Sequence, residues 1–217
     1  MPSRTVVGAL VNHRSLLASL GDRVEAAPHK GAPRHVVLQV KPRHTWVEGG
    51  GALRVDDGVP ELEVDATLGL VIGRTAARLP ERDALAHVAA LVLVADAHAP
   101  LDGHHRPSAR QRARDASCAI GLEAPLGPLD PDRVVLRTFV DGVLAATSDP
   151  ADAIRGAAAL LAAITEFMTL EPGDILLTGS PSSGARVRAG QRVRIEAVGL
   201  PEVEVGIEHD AAAREAA

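Results

Sequence analysis

The sequence predicts a mixed α+β domain rich in strands, a β-roll or barrel with a few flanking helices. Two features predict it. Short apolar runs recur along the chain, and glycine, proline and aspartate punctuate them. Helical patterns are few and do not alternate regularly with those runs, which argues against a doubly wound parallel sheet.

Residues 5–11 read as a first strand and residues 15–26 as a helix with Leu16, Leu17 and Leu20 inward. A connection over 29–34, with Pro28 and Pro33, leads to a second strand at 36–40. Gly49-Gly50-Gly51 and Asp56-Asp57-Gly58 separate the short strands that follow. Residues 61–64 and 68–72 read as two strands and 83–90 as a helix. Leu91-Val92-Leu93-Val94-Ala95 reads as a short buried strand ending at Asp96, and 97–115 as a polar loop rich in arginine and histidine. Asp141-Gly142, between apolar runs at 134–140 and 143–147, is a type I′ hairpin signal. Asp149-Pro150 predicts the start of a helix running to Phe167, with a capping carboxylate followed by proline at the first helical position. Glu171-Pro172-Gly173-Asp174 is a turn, and Ile175-Leu176-Leu177 a short buried strand. Strands at 193–197 and 203–207 close the sheets. No internal repeat or linker interrupts this order, so one domain is expected over residues 1–210, with 211–217 a frayed tail.

Composition narrows the function classes. At 217 residues and 46% hydrophobic content the chain can bury a substantial core. No run of about 18 apolar residues occurs and no secretory layout opens the chain, so a cytoplasmic protein with no membrane partner is expected. The single cysteine, Cys118, allows no internal disulfide and is expected to pack. A net charge of −5 argues against a nucleic-acid partner, and 1% aromatics with no tyrosine argues against base stacking. Arg106, Arg110, Arg112 and Arg114 read as a solvated or anion-facing loop.

The most informative stretch is 166–181. After the buried strand, Thr178-Gly179-Ser180-Pro181 places a hydroxyl and free amides at a small tip, which suits a carboxylate. This string resembles the signature of the fumarylacetoacetate hydrolase family, whose members end it in Thr-Gly-Thr-Pro. The resemblance extends over 5–208 through Leu10-Val11-Asn12-His13-Arg14-Ser15, Lys41-Pro42-Arg43-His44-Thr45, Val71-Ile72-Gly73-Arg74-Thr75-Ala76, Arg112-Ala113-Arg114-Asp115 and Cys118-Ala119-Ile120-Gly121. Within the family it is similar to the isomerase/decarboxylase branch of homoprotocatechuate (4-hydroxyphenylacetate) breakdown, in its N-terminal module.

The resemblance implies a fumarylacetoacetate-hydrolase-like roll that forms a homodimer or pairs with a paralogous subunit. It implies a decarboxylase/isomerase acting on 5-oxopent-3-ene-1,2,5-tricarboxylate or 2-hydroxyhepta-2,4-dienedioate through an enolate. It also implies a divalent cation, Mg²⁺ or Mn²⁺, holding the oxo-acid end of the substrate. The family's cation ligands are a Glu-x-Glu pair on a strand and a later aspartate. The matching positions are Asp65, Thr67 and Asp96, so one carboxylate is replaced by a neutral hydroxyl. Lys41 and Thr178 match substrate-carboxylate positions, and Arg112 stands where the family has a lysine. The family's His–Glu acid/base pair is absent in place, its histidine position being Leu16. His13 is then the candidate proton carrier, with a structural histidine as the alternative.

Other readings stay open. Arg112 could form a surface ion pair with Asp115. Asp96, His98, Asp102, His104 and His105 could form a compensating Zn²⁺ or Mn²⁺ site. The chain could be a catalytically degenerate partner of a paralogous metal-dependent subunit, or a hydrolase of acylpyruvate-type C–C bonds.

Overall fold

The computed structural model describes residues 4–27, 30–47, 51–56, 58–101, 108–181 and 184–210. Its strands, in chain order, are β1 (Val6–Leu10), β2 (Val37–Val40), β3 (Trp46–Val47), β4 (Ala52–Val55), β5 (Leu62–Ile72), β6 (Val88–His98), β7 (Cys118–Ile120), β8 (Ala124–Pro125), β9 (Leu136–Val140), β10 (Val143–Ser148), β11 (Ile175–Leu177), β12 (Ala185–Val187), β13 (Arg192–Ala197) and β14 (Leu200–His209). The helices are α1 (Arg14–Leu20), α2 (Glu81–Ala84), α3 (Ala109–Arg112) and α4 (Ala157–Thr165). A nine-stranded sheet runs β2-β1-β11-β5-β6-β7-β3, with β12 also on β5 and β8 on β6; a five-stranded sheet runs β10-β9-β13-β14-β4. The architecture is the β-rich mixed class that the sequence predicts.

The long strands differ from the sequence reading. The two strands expected at 61–64 and 68–72 are one, β5, because its ladder with β6 continues unbroken through Asp65↔Asp96 and Thr67↔Val94. The helix expected at 83–90 shrinks to α2 and a 3₁₀ turn, because Val88 and Ala90 join that same ladder opposite Ile72 and Val71. Strand β6 therefore extends past Asp96 to His98. The helix expected from Asp149 also starts later. Asp149 caps only a 3₁₀ turn at Pro150–Asp152, and α4 begins after Gly156, where the Ala157 amide donates to Asp132 Oδ1 at 2.7 Å. In α1, Leu16 is buried while Leu17 and Leu20 are half-buried, and Gly21 at φ +53° ends the helix. The hairpin is as expected: Asp141 and Gly142 both take positive φ, 49° and 82°, as a type I′ turn requires. The expected tail, 211–217, lies outside the described residues. No helix among the described residues is long and apolar enough to cross a membrane.

Strand alternation gives the large sheet two apolar faces. Leu68 and Leu70 of β5 with Leu91 and Leu93 of β6 pack in the main core with Val193, Ile195, Val205 and Ile207 of the second sheet and with Leu160, Leu161 and Ile164 of α4. The opposite face carries a smaller buried cluster that includes Val6, Val71, Val92, Val94, Ile175 and Leu177. That face is buried because the sheet curls over it. Strand β2 is four places from β6 in the sheet order, so a flat sheet would hold them about 19 Å apart. Yet the Gln39 side chain of β2 donates to Asp96 of β6 at 2.7 Å.

The curl leaves little room at Gly69. A Cβ there would lie 2.7 Å from Val92 Cγ1 and 2.8 Å from Ile175 Cγ2, both on β-branched side chains with stiff χ1. Gly69→Ala is expected to destabilise the fold by about 1–3 kcal/mol, read as a lower urea midpoint with unchanged slope.

Candidate functional site

At one end of the curled sheet the apolar filling gives way to ionisable groups. Asp65 and Asp96 face each other across the β5–β6 ladder and are 5% and 2% exposed. Neighbouring carboxylates stripped of water repel each other, so the pair demands cations. Two arrive from distant parts of the chain. Lys41, just after β2 and fully buried, has Nζ 2.6 Å from Asp96 Oδ1 and donates to the Arg112 carbonyl at 2.6 Å. Arg112, the last residue of α3, has Nη1 3.4 Å from Asp96 Oδ2 and Nη2 3.5 Å from Asp65 Oδ2. Burial pushes the Asp96 carboxyl up, but Lys41 and Arg112 outweigh it and hold the group below the usual carboxylate range. The reading of Arg112 as a surface partner of Asp115 is therefore corrected: its guanidinium turns inward, and Asp115 lies 3.8 Å from His44.

His98 stands opposite Glu63 at the end of the same ladder. Its Nε2 is 3.3 Å from Asp65 Oδ2 and 3.9 Å from Glu63 Oε2, while Nδ1 lies 2.9 Å from the Ala99 carbonyl. A carbonyl can only accept, so Nδ1 carries a proton and Nε2 is the nitrogen that can exchange one.

These groups line a cavity of about 770 Å³, within the range of small-molecule sites. Gln39, Glu63, Asp65, His98 and Arg112 belong to its polar wall, and Leu10 and Val11 to its apolar wall. Val11 holds φ at +55°, a strained conformation for a β-branched residue, where β1 gives way to Asn12. Asn12 fixes the neighbouring tip by donating to the carbonyls of Thr178 and Arg155, both at 3.0 Å.

The residues singled out in the sequence divide into three groups. Arg112 and Asp65 line the cavity, with Lys41 and Asp96 buried behind them. Thr67 shares the Asp65 face of β5 and accepts a hydrogen bond from the Gly179 amide at 3.2 Å. His13 and Thr178 instead line a separate cleft of about 20 Å³, room for roughly one water, whereas Ser180 and Pro181 reach the main cavity. His13 is 3% exposed with Nδ1 3.6 Å from Asp152 Oδ2; burial lowers its pKa and the Asp152 carboxylate offsets only part of that. Asp102, His104 and His105 lie outside the described residues. Cys118 packs as expected, its thiol pushed up to about 12 by burial and by the Asp96 charge.

Gln39 and His98 were not assigned to substrate by the sequence reading. The signal for His98 was its place two residues beyond Asp96, hence on the same face once β6 is extended. Gln39 was signalled only as the one polar side chain of its strand run.

The donors at the Asp65–Thr67–Asp96 position do not fit a divalent cation. Among the described residues no three His, Cys, Asp or Glu side chains are grouped to hold a metal ion. Gln39 and Arg112 engage one Asp96 oxygen and Lys41 the other. A metal ion there would sit beside two fixed positive charges with only two carboxylates to balance all three.

Comparison with known proteins agrees with this architecture. Residues 5–208 match the fumarylacetoacetate (FAA) hydrolase C-terminal family. The chain is 34% identical over 200 residues to the 4-hydroxyphenylacetate degradation bifunctional isomerase/decarboxylase of Escherichia coli, and 36% identical over 200 residues to that of Salmonella dublin. Each match covers 92% of this chain and 46% of the relative, so the chain spans about half the length of these proteins. A fumarylpyruvate hydrolase of Pseudomonas aeruginosa, solved with Mn²⁺ and pyruvate, superposes with a TM-score of 0.78 at 22% identity, covering 96% of this chain and 91% of that one. The chain belongs to the fumarylacetoacetate hydrolase family.

Two outcomes follow from the buried charges. Lys41→Met leaves Asp96 short of its closest cation and is expected to cost about 3–5 kcal/mol in denaturant unfolding. His13, whose folded pKa lies below its ordinary 6.5, binds protons more readily when unfolded, so stability falls as pH drops below 6.5. In His13→Asn the loss of midpoint between pH 7 and pH 5 is expected to be smaller than in the wild type, by thermal melts at matched ionic strength.

Proposed function

We propose that the chain is a decarboxylase/isomerase of 2-oxo polycarboxylates, working through an enolate held in the main cavity. The observation that carries this reading is Arg112, an 8%-exposed guanidinium in the polar wall of a 770 Å³ cavity. The kinship with isomerase/decarboxylases at 34–36% identity supports the reaction class. The substrates we infer are 5-oxopent-3-ene-1,2,5-tricarboxylate or its decarboxylation product, 2-hydroxyhepta-2,4-dienedioate.

The chemistry needs an electron sink and a proton source. In the tricarboxylate, the bond from C2 to its carboxylate carbon breaks and CO₂ leaves. The electron pair moves through the C3–C4 alkene onto the oxygen of the 5-oxo group, and protonation there gives the 2-hydroxy diene. Isomerisation then moves that proton from oxygen to carbon. A guanidinium stays charged throughout and offers a planar fork, so Arg112 can pair a carboxylate and stabilise the oxyanion as it forms. His98 has its exchangeable Nε2 beside Asp65 and lines the same cavity, which makes it the side chain we assign to proton delivery.

A second reading has one observation in its favour. Thr67, a neutral hydroxyl, stands where the family resemblance implies a ligand carboxylate, as expected of a subunit that supports a paralogous catalytic module. CO₂ release from the tricarboxylate by the isolated chain tests the first reading. Turnover is expected, with kcat/KM lowered on the order of a hundredfold or more in Arg112→Ala. No turnover by the folded chain alone, with turnover on adding a paralogous module, favours the second.

A further inference from the structure

Two side chains of the cavity wall each carry an enclosed polar atom without a partner. Arg112 Nε and Gln39 Oε1 are both buried without a hydrogen-bond partner. The orientation of Gln39 follows from its other end: Nε2 donates to Asp96 Oδ2, which can only accept, so Oε1 is turned away from the carboxylate. A buried donor and a buried acceptor left open cost stability unless a ligand satisfies them. The two side chains bring one cationic donor group and one neutral amide to the wall of a single cavity. A 2-hydroxy-2-enoate, the enol form of a 2-oxo acid, offers the reverse: anionic oxygens and one hydroxyl proton.

The charges behind this wall are already balanced. Asp65 and Asp96 contribute two negative charges, and Lys41 and Arg112 two positive ones, all buried within ion-pair reach. We propose that Arg112, clamped by Asp65 and Asp96 and backed by Lys41, takes the place of a divalent cation in this chain, and that the cavity binds the enol or enolate of a 2-oxo acid without metal through Arg112 and Gln39. This deepens the functional reading above and rests on it. The aspartates act as positioning residues for the guanidinium. Gly184 keeps the backbone close on the far side of Asp65, where a Cβ would come within 2.6 Å of Oδ1.

The probe is oxalate, a planar dianion that mimics an enolised 2-oxo acid, titrated calorimetrically into the full, chelator-treated chain. Mn²⁺ alone is titrated in parallel and followed by electron paramagnetic resonance. Oxalate is expected to bind equally well with and without EDTA, while Mn²⁺ shows no saturable site. Affinity is expected to fall at least about tenfold in Arg112→Gln and to be partly recovered in Arg112→Lys, which keeps the charge but not the fork. Gln39→Leu provides an independent loss of affinity should Arg112→Gln fail to fold, as judged by thermal melting. Oxalate binding that requires Mn²⁺ or Mg²⁺ overturns the metal-free site and leaves the proposed reaction class standing. Absence of oxalate binding to the folded chain under both conditions overturns the cavity as an oxo-acid site, and the functional reading with it.

Discussion

Two aspartates that face each other across a buried ladder set the terms for this structure. Asp65 and Asp96 are both almost cut off from water, and carboxylates so placed repel each other. Compensation requires cations delivered from outside β5 and β6. Lys41 comes from the end of β2 and Arg112 from α3, so charge balance, sheet curvature and the helix after β6 are linked at one point. The curl that brings Gln39 and Lys41 across to β6 also encloses the small apolar cluster beneath them. Apolar burial closes one end of the roll, and ion pairing organises the open end, where the cavity lies.

Much of this was legible in the sequence. The Asp141-Gly142 turn and the Gly173 turn with its short strand were readable because their conformations are dictated locally, by positive φ that few residues tolerate. The long strands were misjudged at their ends. Asp65-Ala66-Thr67 looks like a break between two strands, and 83–90 looks helical, until each is paired with the other's ladder. Pairing is a tertiary fact, and it overrides local preference wherever two long strands share a buried face.

The site was legible as a set of residues but not as an arrangement. Arg112, Asp65, Asp96 and Lys41 come together as a cluster, although the sequence left the direction of Arg112 open. Thr178 and Gly179 are adjacent in a string that reads as one carboxylate-holding tip. The chain there nevertheless serves two sides, Gly179 bonding to Thr67 while Thr178 opens onto the cleft with His13. A one-residue step reverses the face in extended chain, so a motif fixes where a tip is without fixing which side chain enters the cavity.

A guanidinium and a metal ion solve the same electrostatic problem with different geometry. A metal ion gathers donors radially and can be removed; a guanidinium is covalently tethered, planar and charged at every accessible pH. Holding it in place takes carboxylates on its edge, and here Asp65 and Asp96 supply them. A neutral hydroxyl at Thr67 is consistent with the charge balance. Three carboxylates against Lys41 and Arg112 would leave a buried negative excess, whereas Asp65 and Asp96 alone balance the two cations. The fixed cation of Arg112 is placed to meet the negative charge that forms when CO₂ leaves, and its planar fork makes that encounter directional.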